Sequence, residues 1–274
     1  MIHAALLSVA LLSQAAAPAR DPSLPPSADQ AKAALAASPR HGEYVNVPLA
    51  GGPALKTWIS YPERKDKAGV VIVIQEVFGL TDWLRGVADQ LAKEGFIAVA
   101  PDMVSGFGPG GGGTDSVGSS DDVVALVHKI TPEEVMRRLN AVYDFARKIP
   151  AGNGKIATVG FCWGGGQSFA YAGAQPALSA AVVFYGVSPD SSVINVIQAP
   201  VLGHYGGDDA RVDVTVPPAE AQMMRLRKSF EVHTYEGAGH GFLRDQSGRD
   251  GANLKATQQA WPRTVAFLKE KLKS

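Results

Sequence analysis

Ile156-Ala157-Thr158-Val159-Gly160-Phe161-Cys162-Trp163-Gly164-Gly165-Gly166 reads as a buried strand, a sharp turn and the opening of a helix. Cys162, at the apex of the turn, is the only cysteine in the 274 residues. The small flanking glycines let the backbone turn with unusual dihedrals, expose the side chain and leave room for a substrate carbonyl. In an arbitrary setting a lone cysteine is most often a small buried hydrophobe. At the apex of a strand-turn-helix it is placed as a nucleophile.

Working outward, Gly69-Val70-Val71-Ile72-Val73-Ile74 is a continuous, β-branched run of the kind a sheet covered on both faces requires. Leu84, Val87, Ala88 and Leu91 then recur at helical spacing, and Phe96 to Ala100 is another short buried strand. The three make a βαβ unit, whose parallel strands need a crossover helix. Two earlier strands are expected at Tyr44–Pro48 and Leu55–Tyr61, joined through Gly51-Gly52-Pro53. Thr131-Pro132-Glu133-Glu134 opens a helix with a threonine cap and a proline at its first position, and Val135, Leu139, Val142 and Ile149 form its buried face. The alternation continues with a strand at Lys155–Val159, a helix at Gly165–Ala172, strands at Ala180–Tyr185 and Val201–Tyr205, a helix at Ala219–Arg227 and a strand at Phe230–Tyr235. A last helix uses Trp261, Val265, Leu268 and Leu272, with Pro262 predicting a kink or a fresh start. The pattern describes one α/β domain with a mostly parallel central sheet, and functional groups are expected in loops beyond the C-terminal strand ends.

The 26 basic and 26 acidic residues cancel and form no basic stripe, which argues against nucleic acid or an anionic membrane as partner. Ala4 to Leu12 is a short apolar core followed by Ala17-Pro18-Ala19, which reads as a signal peptide spanning residues 1–19. That reading implies a periplasmic or secreted protein; without a working signal the protein would be cytoplasmic. Residues 20–40 are read as a linker and 41–274 as the α/β domain. The apolar start is shorter than the roughly 20 residues a bilayer span needs.

Three loops carry catalytic candidates. Cys162 follows one strand, Asp208 and Asp209 follow another, and His240 lies after the strand ending at Tyr235 in Gly237-Ala238-Gly239-His240-Gly241-Phe242. The chain order of nucleophile, acid and histidine suits an α/β hydrolytic fold. His240 would take the thiol proton while an aspartate fixes its tautomer. Spacing alone does not separate Asp208 from Asp209, either of which could instead tighten its turn. Glu76 follows the strongest strand in Gln75-Glu76-Val77-Phe78-Gly79-Leu80, either as a solvated carboxylate or as a second charge beside Cys162. The amides of Val77 and Trp163 are candidate oxyanion donors, because those two loops meet above the sheet.

These motifs resemble the dienelactone hydrolase family over roughly Tyr44 to Leu272. The family's Gln-Glu-hydrophobic-Phe-Gly element matches Gln75 to Gly79, its Gly-x-Cys-x-Gly-Gly elbow matches Gly160 to Gly165, and its Gly-Gly-x-Asp and Gly-His-x-Phe segments match Gly206 to Asp209 and Gly239 to Phe242. The resemblance implies the α/β-hydrolase fold, a three-layer sandwich. It also implies a Cys162-Asp209-His240 triad, a regulatory Glu76 beside the thiol, an oxyanion hole at Val77 and Trp163, and substrate contacts from Arg244 and Phe78. Family enzymes open the lactone ring of dienelactone to maleylacetate, with Arg244 in the place of an arginine that holds the substrate carboxylate.

One stretch departs from the family. Gly106-Phe107-Gly108-Pro109-Gly110-Gly111-Gly112-Gly113 stands where dienelactone hydrolases lead to a second substrate-binding arginine and a tyrosine, so a different ester or lactone is expected. The run lacks the Gly-Lys-Ser/Thr ending of a phosphate loop and reads as a flexible loop or lid. No cofactor and no metal are expected. The leading reading is a cofactor-independent ester or lactone hydrolase acting through a Cys162 acyl-enzyme; the alternatives are an acyltransferase and a non-catalytic small-molecule binding protein on the same fold.

Overall fold

The computed structural model describes residues 20–273. Residues 1–19, where the signal peptide is expected, lie outside the described part. In chain order the helices are α1 (Ala31–Ala36), α2 (Asp82–Lys93), α3 (Ser120–Val127), α4 (Pro132–Ala146), α5 (Trp163–Ala174), α6 (Ser191–Val196), α7 (Ala210–Asp213), α8 (Val216–Arg225) and α9 (Ala252–Lys271). The strands are β1 (Gly42–Val47), β2 (Leu55–Ser60), β3 (Ala68–Ile74), β4 (Ile97–Pro101), β5 (Gly152–Phe161), β6 (Ala180–Phe184), β7 (Val201–Gly206) and β8 (Phe230–Tyr235).

The eight strands form one sheet in the order β1-β2-β4-β3-β5-β6-β7-β8. β2 runs antiparallel to both β1 and β4, and every other neighbouring pair is parallel. Strand β3 shows how the layers arise. Val70, Ile72 and Ile74 point into the core beneath α4, α5 and α8, while Val71 and Val73 point into the core beneath α2 and α9. Period-two alternation in a strand buried on both faces feeds two separate cores, which gives a three-layer sandwich.

The structure departs from the sequence reading in several places. Residues 20–40 are not a tether. Leu24, Pro25, Pro26 and Ser27 are buried, Ala31 sits under α2, and Arg40 forms an ion pair with Asp89 of that helix. Helix α3 was not foreseen, although Ser119 caps it by accepting from Asp122 N at 3.2 Å. The short α6 was also missed. Helix α9 continues on both sides of Pro262, which faces solvent, where the carbonyl left free one turn earlier can reach water.

The glycine run differs most from a loose loop. Gly106 N and Gly108 N both donate to Gly112 O, and Arg138 donates to Met103 O and Ser105 O while its guanidinium lies over the Phe107 ring. Buried Asp102 pins the far end, accepting from Thr114 N and Thr114 Oγ1 at 2.7 Å each. Thr114 Oγ1 in turn accepts from Leu80 N, which ties the run to the loop after β3.

Candidate active site

Strands β3, β5, β6, β7 and β8 are contiguous, and their C-terminal ends deliver Glu76, Cys162, Tyr185, Asp209 and His240 to one edge of the sheet. Cys162 has φ 55° and ψ −118°, outside the comfortable regions for a residue bearing a Cβ. A conformation of that kind costs about 1–3 kcal/mol and persists only when its surroundings enforce it. Here they do. Cys162 N donates to Phe184 O of β6, and the crossing of strand and helix leaves no space for larger neighbours. A Cβ on Gly160 would lie 1.9 Å from Gly164 O, and one on Gly164 would lie 2.3 Å from Gln75 O.

Burial pushes the Cys162 thiol pKa up, and the Glu76 carboxylate pushes it further; the amides of Trp163 and Val77, with Arg211, pull the other way. The two amides named as oxyanion donors therefore lie near enough to the sulfur to favour its thiolate. Among the described residues the sulfur makes no hydrogen bond to His240.

Glu76 is 4% exposed, and burial raises its pKa to about 7 even though Arg244 and Tyr185 favour its charged form. Arg244 Nε lies 2.9 Å from Glu76 Oε2, and its guanidinium stands 5.0 Å over the Phe78 ring. The arginine expected to hold a substrate carboxylate is thus already paired inside the protein.

Asp209 Oδ2 and His240 Nδ1 are 2.5 Å apart, with the aspartate side chain 6% exposed and the imidazole opening to solvent. The neighbouring Asp208 points elsewhere and forms a half-exposed ion pair with Arg249 at 3.0 Å. Geometry, not spacing, separates the two aspartates.

Tyr185 was missed by the sequence reading. It is fully buried, its backbone has φ 40°, its ring meets the His240 imidazole edge-on at 5.2 Å, and its phenol interacts with Glu76. Burial beside Glu76 holds that phenol well above its ordinary pKa, so it stays a neutral donor. The available signal was a tyrosine at the C-terminal end of an inner parallel strand, next to a glycine.

No group of His, Cys, Asp and Glu among the described residues is arranged to hold a metal ion, and no described helix is long and apolar enough to cross a membrane.

A strained cysteine at a strand-helix elbow, on the same sheet edge as an aspartate-histidine pair of an eight-stranded mixed sheet, defines the α/β-hydrolase fold class. Within that class the chain belongs to the dienelactone hydrolase family, whose sequence model matches residues 55–272. The chain is 31% identical over 207 residues to a carboxymethylenebutenolidase of Pseudomonas putida, covering 74% of this chain and 86% of that one. Among solved structures it is similar to a dienelactone hydrolase-like promiscuous phosphotriesterase from metagenomic libraries, at a TM-score of 0.73 and 24% identity, over 85% of this chain and 98% of that one. It also superposes on a dienelactone hydrolase of Anabaena variabilis with a TM-score of 0.64 at 19% identity, over 85% and 99% of the two chains. At those identities the two structures speak for the fold alone.

Proposed function

We propose that this chain hydrolyses carboxylic esters or lactones through a Cys162 thioester intermediate, with Asp209 and His240 completing the triad. The observation that carries the reading is the strained Cys162 elbow, with the Val77 and Trp163 amides favouring its thiolate, on the same sheet edge as the 2.5 Å Asp209–His240 pair. Asp209 occupies Nδ1, which leaves His240 Nε2 to take the thiol proton once the sulfur turns toward it. The thiolate attacks the carbonyl carbon, a C–S bond forms, and the carbonyl π electrons move onto oxygen, where the two amides stabilise them. Collapse expels the alcohol oxygen, which takes its proton from the imidazolium. Water, deprotonated by His240, then releases the acid and restores the thiol.

Glu76 sets the timing. Its charge opposes the thiolate, and Arg244 partly offsets that charge. A resting protein therefore keeps Cys162 protonated and protected from oxidation and alkylation. The name of the Pseudomonas putida relative supports a lactone as one substrate. Residues 1–19 are proposed to export the protein to the periplasm or medium, which N-terminal sequencing of the mature protein from its native host would test by a start at Arg20.

The deciding experiment is steady-state hydrolysis of dienelactone and short activated esters by the protein and by Cys162→Ala. Turnover lost in the variant supports the reading. Turnover that survives it rules out the thiol as nucleophile, and ester exchange with an added alcohol in place of acid release identifies an acyltransferase.

A further inference from the structure

The loop that carries His240 is held from two sides. Helix α9 holds it on one: Gly239 N donates to Asn253 Oδ1 at 3.0 Å, Asn253 Nδ2 donates to Asp245 O at 2.7 Å, and Thr257 Oγ1 donates to Phe242 O at 3.2 Å. A strap made of residues 25–28 holds it on the other. Ala28 N donates to Arg244 O at 2.9 Å, and Gln246 Nε2 donates to Pro25 O at 3.0 Å. The α9 residues lie within the part of the chain that the family model matches, residues 55–272, and the strap lies outside it.

The strap reaches the histidine in two steps. Arg244 N and Asp245 N both donate to Gly241 O, at 2.9 and 3.0 Å, and close a turn that begins directly after His240. The strap therefore grips the far side of the turn on which the histidine stands. The imidazole meets Asp209 through Nδ1 and the Tyr185 ring edge-on, and 33% of it is exposed. A side chain that open is placed largely by its backbone. Misplacing a reacting group by about 1 Å can cost about 10²-fold in rate.

The strap has its own anchor. Leu24 and Ala31, which flank it, are buried in one core with Leu84, Val87 and Ala88 of α2. Gln90 of that helix accepts from Arg20 at 3.0 Å and donates to Pro22 O at 3.3 Å. Pro26 packs so closely on α2 that a Cβ on Gly86 would lie 2.7 Å from its ring. The histidine loop is thereby tied to α2, a helix that carries none of the catalytic candidates.

We propose that residues 25–28 and Gln246 are positioning residues for catalysis, which hold the Arg244–Gln246 end of the turn so that His240 stands ready for proton transfer. The assignment rests on the hydrolase reading above and adds to it residues that the family model does not reach. Gln246 acts through the backbone of the loop, not on the substrate.

The test is kcat and KM for 4-nitrophenyl acetate, with urea midpoints, measured on the protein, Gln246→Glu, Gln246→Lys and Arg40→Met. Gln246→Glu keeps the shape and loses the donor, and is expected to lower kcat about tenfold with KM within about twofold. Gln246→Lys keeps a donor on a flexible stem and is expected to hold kcat within about threefold. Arg40→Met breaks the ion pair with Asp89 on α2 and none of the bonds to the loop, so it is expected to lower the urea midpoint with kcat within about twofold. Gln246→Met, of similar length and without a donor, serves if Gln246→Glu fails to fold and is expected to act the same way. Equal kcat in the donor-free and lysine variants, or a loss of kcat/KM carried by KM alone, overturns the positioning assignment while leaving the hydrolase reading intact. Absence of Cys162-dependent turnover in the unaltered protein overturns the hydrolase reading, and the positioning assignment with it.

Discussion

Arg244 Nε and Glu76 Oε2 stand 2.9 Å apart, and the Glu76 carboxylate of this pair pushes the Cys162 thiol pKa up. Arg244 is one of the groups that favour ionised Glu76, so Arg244→Met is expected to lift the Glu76 pKa above its value of about 7. The inflection that Glu76 contributes to the pH profile of kcat/KM then moves to higher pH. An unmoved inflection would separate Glu76 from that titration.

Glu76→Gln removes a charge that pushes the thiol pKa up. At the alkaline pH where the thiol ionises, Glu76 is already a carboxylate, so its loss is felt in full. The midpoint of iodoacetamide alkylation of Cys162 is expected to fall by about one pH unit.

The two adjacent aspartates are expected to behave differently. Asp209→Asn leaves His240 without its anionic partner and is expected to lower kcat by about 10²–10⁴-fold. Asp208→Asn breaks only the half-exposed pair with Arg249, a contact of the kind worth about 0–1 kcal/mol, and is expected to leave kcat within about threefold. Steady-state kinetics on one ester distinguishes them.

His204 makes an acid-sensitive contribution to stability, opposite in sign to that of Glu76, whose raised pKa favours the fold as pH falls below about 7. The histidine is fully buried, with Nδ1 2.9 Å from Tyr235 Oη and Nε2 3.0 Å from Thr264 Oγ1, and burial holds its pKa well below the ordinary histidine value. The folded state keeps it neutral while the unfolded chain binds a proton below about pH 6.5, so stability is retained above that pH and declines beneath it. One proton corresponds to a slope of about 1.4 kcal/mol per pH unit. The contribution is read as a difference: the stability gap between the protein and His204→Gln, measured by urea unfolding, is expected to narrow by about 1.4 kcal/mol per pH unit as pH falls from about 6.5 to 5.

Much of the fold was legible because its strongest signals are one-dimensional. The β-branched run of β3, the spacing of Leu84, Val87, Ala88 and Leu91, and the Thr131-Pro132 helix start each depend on neighbours in sequence, and each element is present. Strand β8 has the expected bounds. The missed features depend on neighbours in space. Residues 24–31 are ordered by the face of α2, and the glycine run is ordered by Asp102 and Arg138, neither of which a local pattern reveals. At the site, the elbow and the His240 loop were readable from their glycines. The choice of Asp209 over Asp208 needed the family resemblance, and the place of Tyr185 needed β6 to lie between β5 and β7.

Residues 25–28, close to the start of the described chain, brace the loop that carries His240 and Arg244. Ala28 N donates to Arg244 O at 2.9 Å, and Gln246 Nε2 donates to Pro25 O at 3.0 Å across 221 positions of sequence. Bringing together parts of the chain so far apart costs loop-closure entropy, which the two hydrogen bonds and the burial of residues 24–27 offset. None of the eight strands includes the strap, whose hydrogen bonds run to the loop instead of the sheet. A polypeptide cut back beyond residue 28 would keep the Cys162 elbow while leaving the loop of His240 and Arg244 without its strap, so the far N-terminal end of the described chain takes part in shaping the C-terminal edge of the sheet.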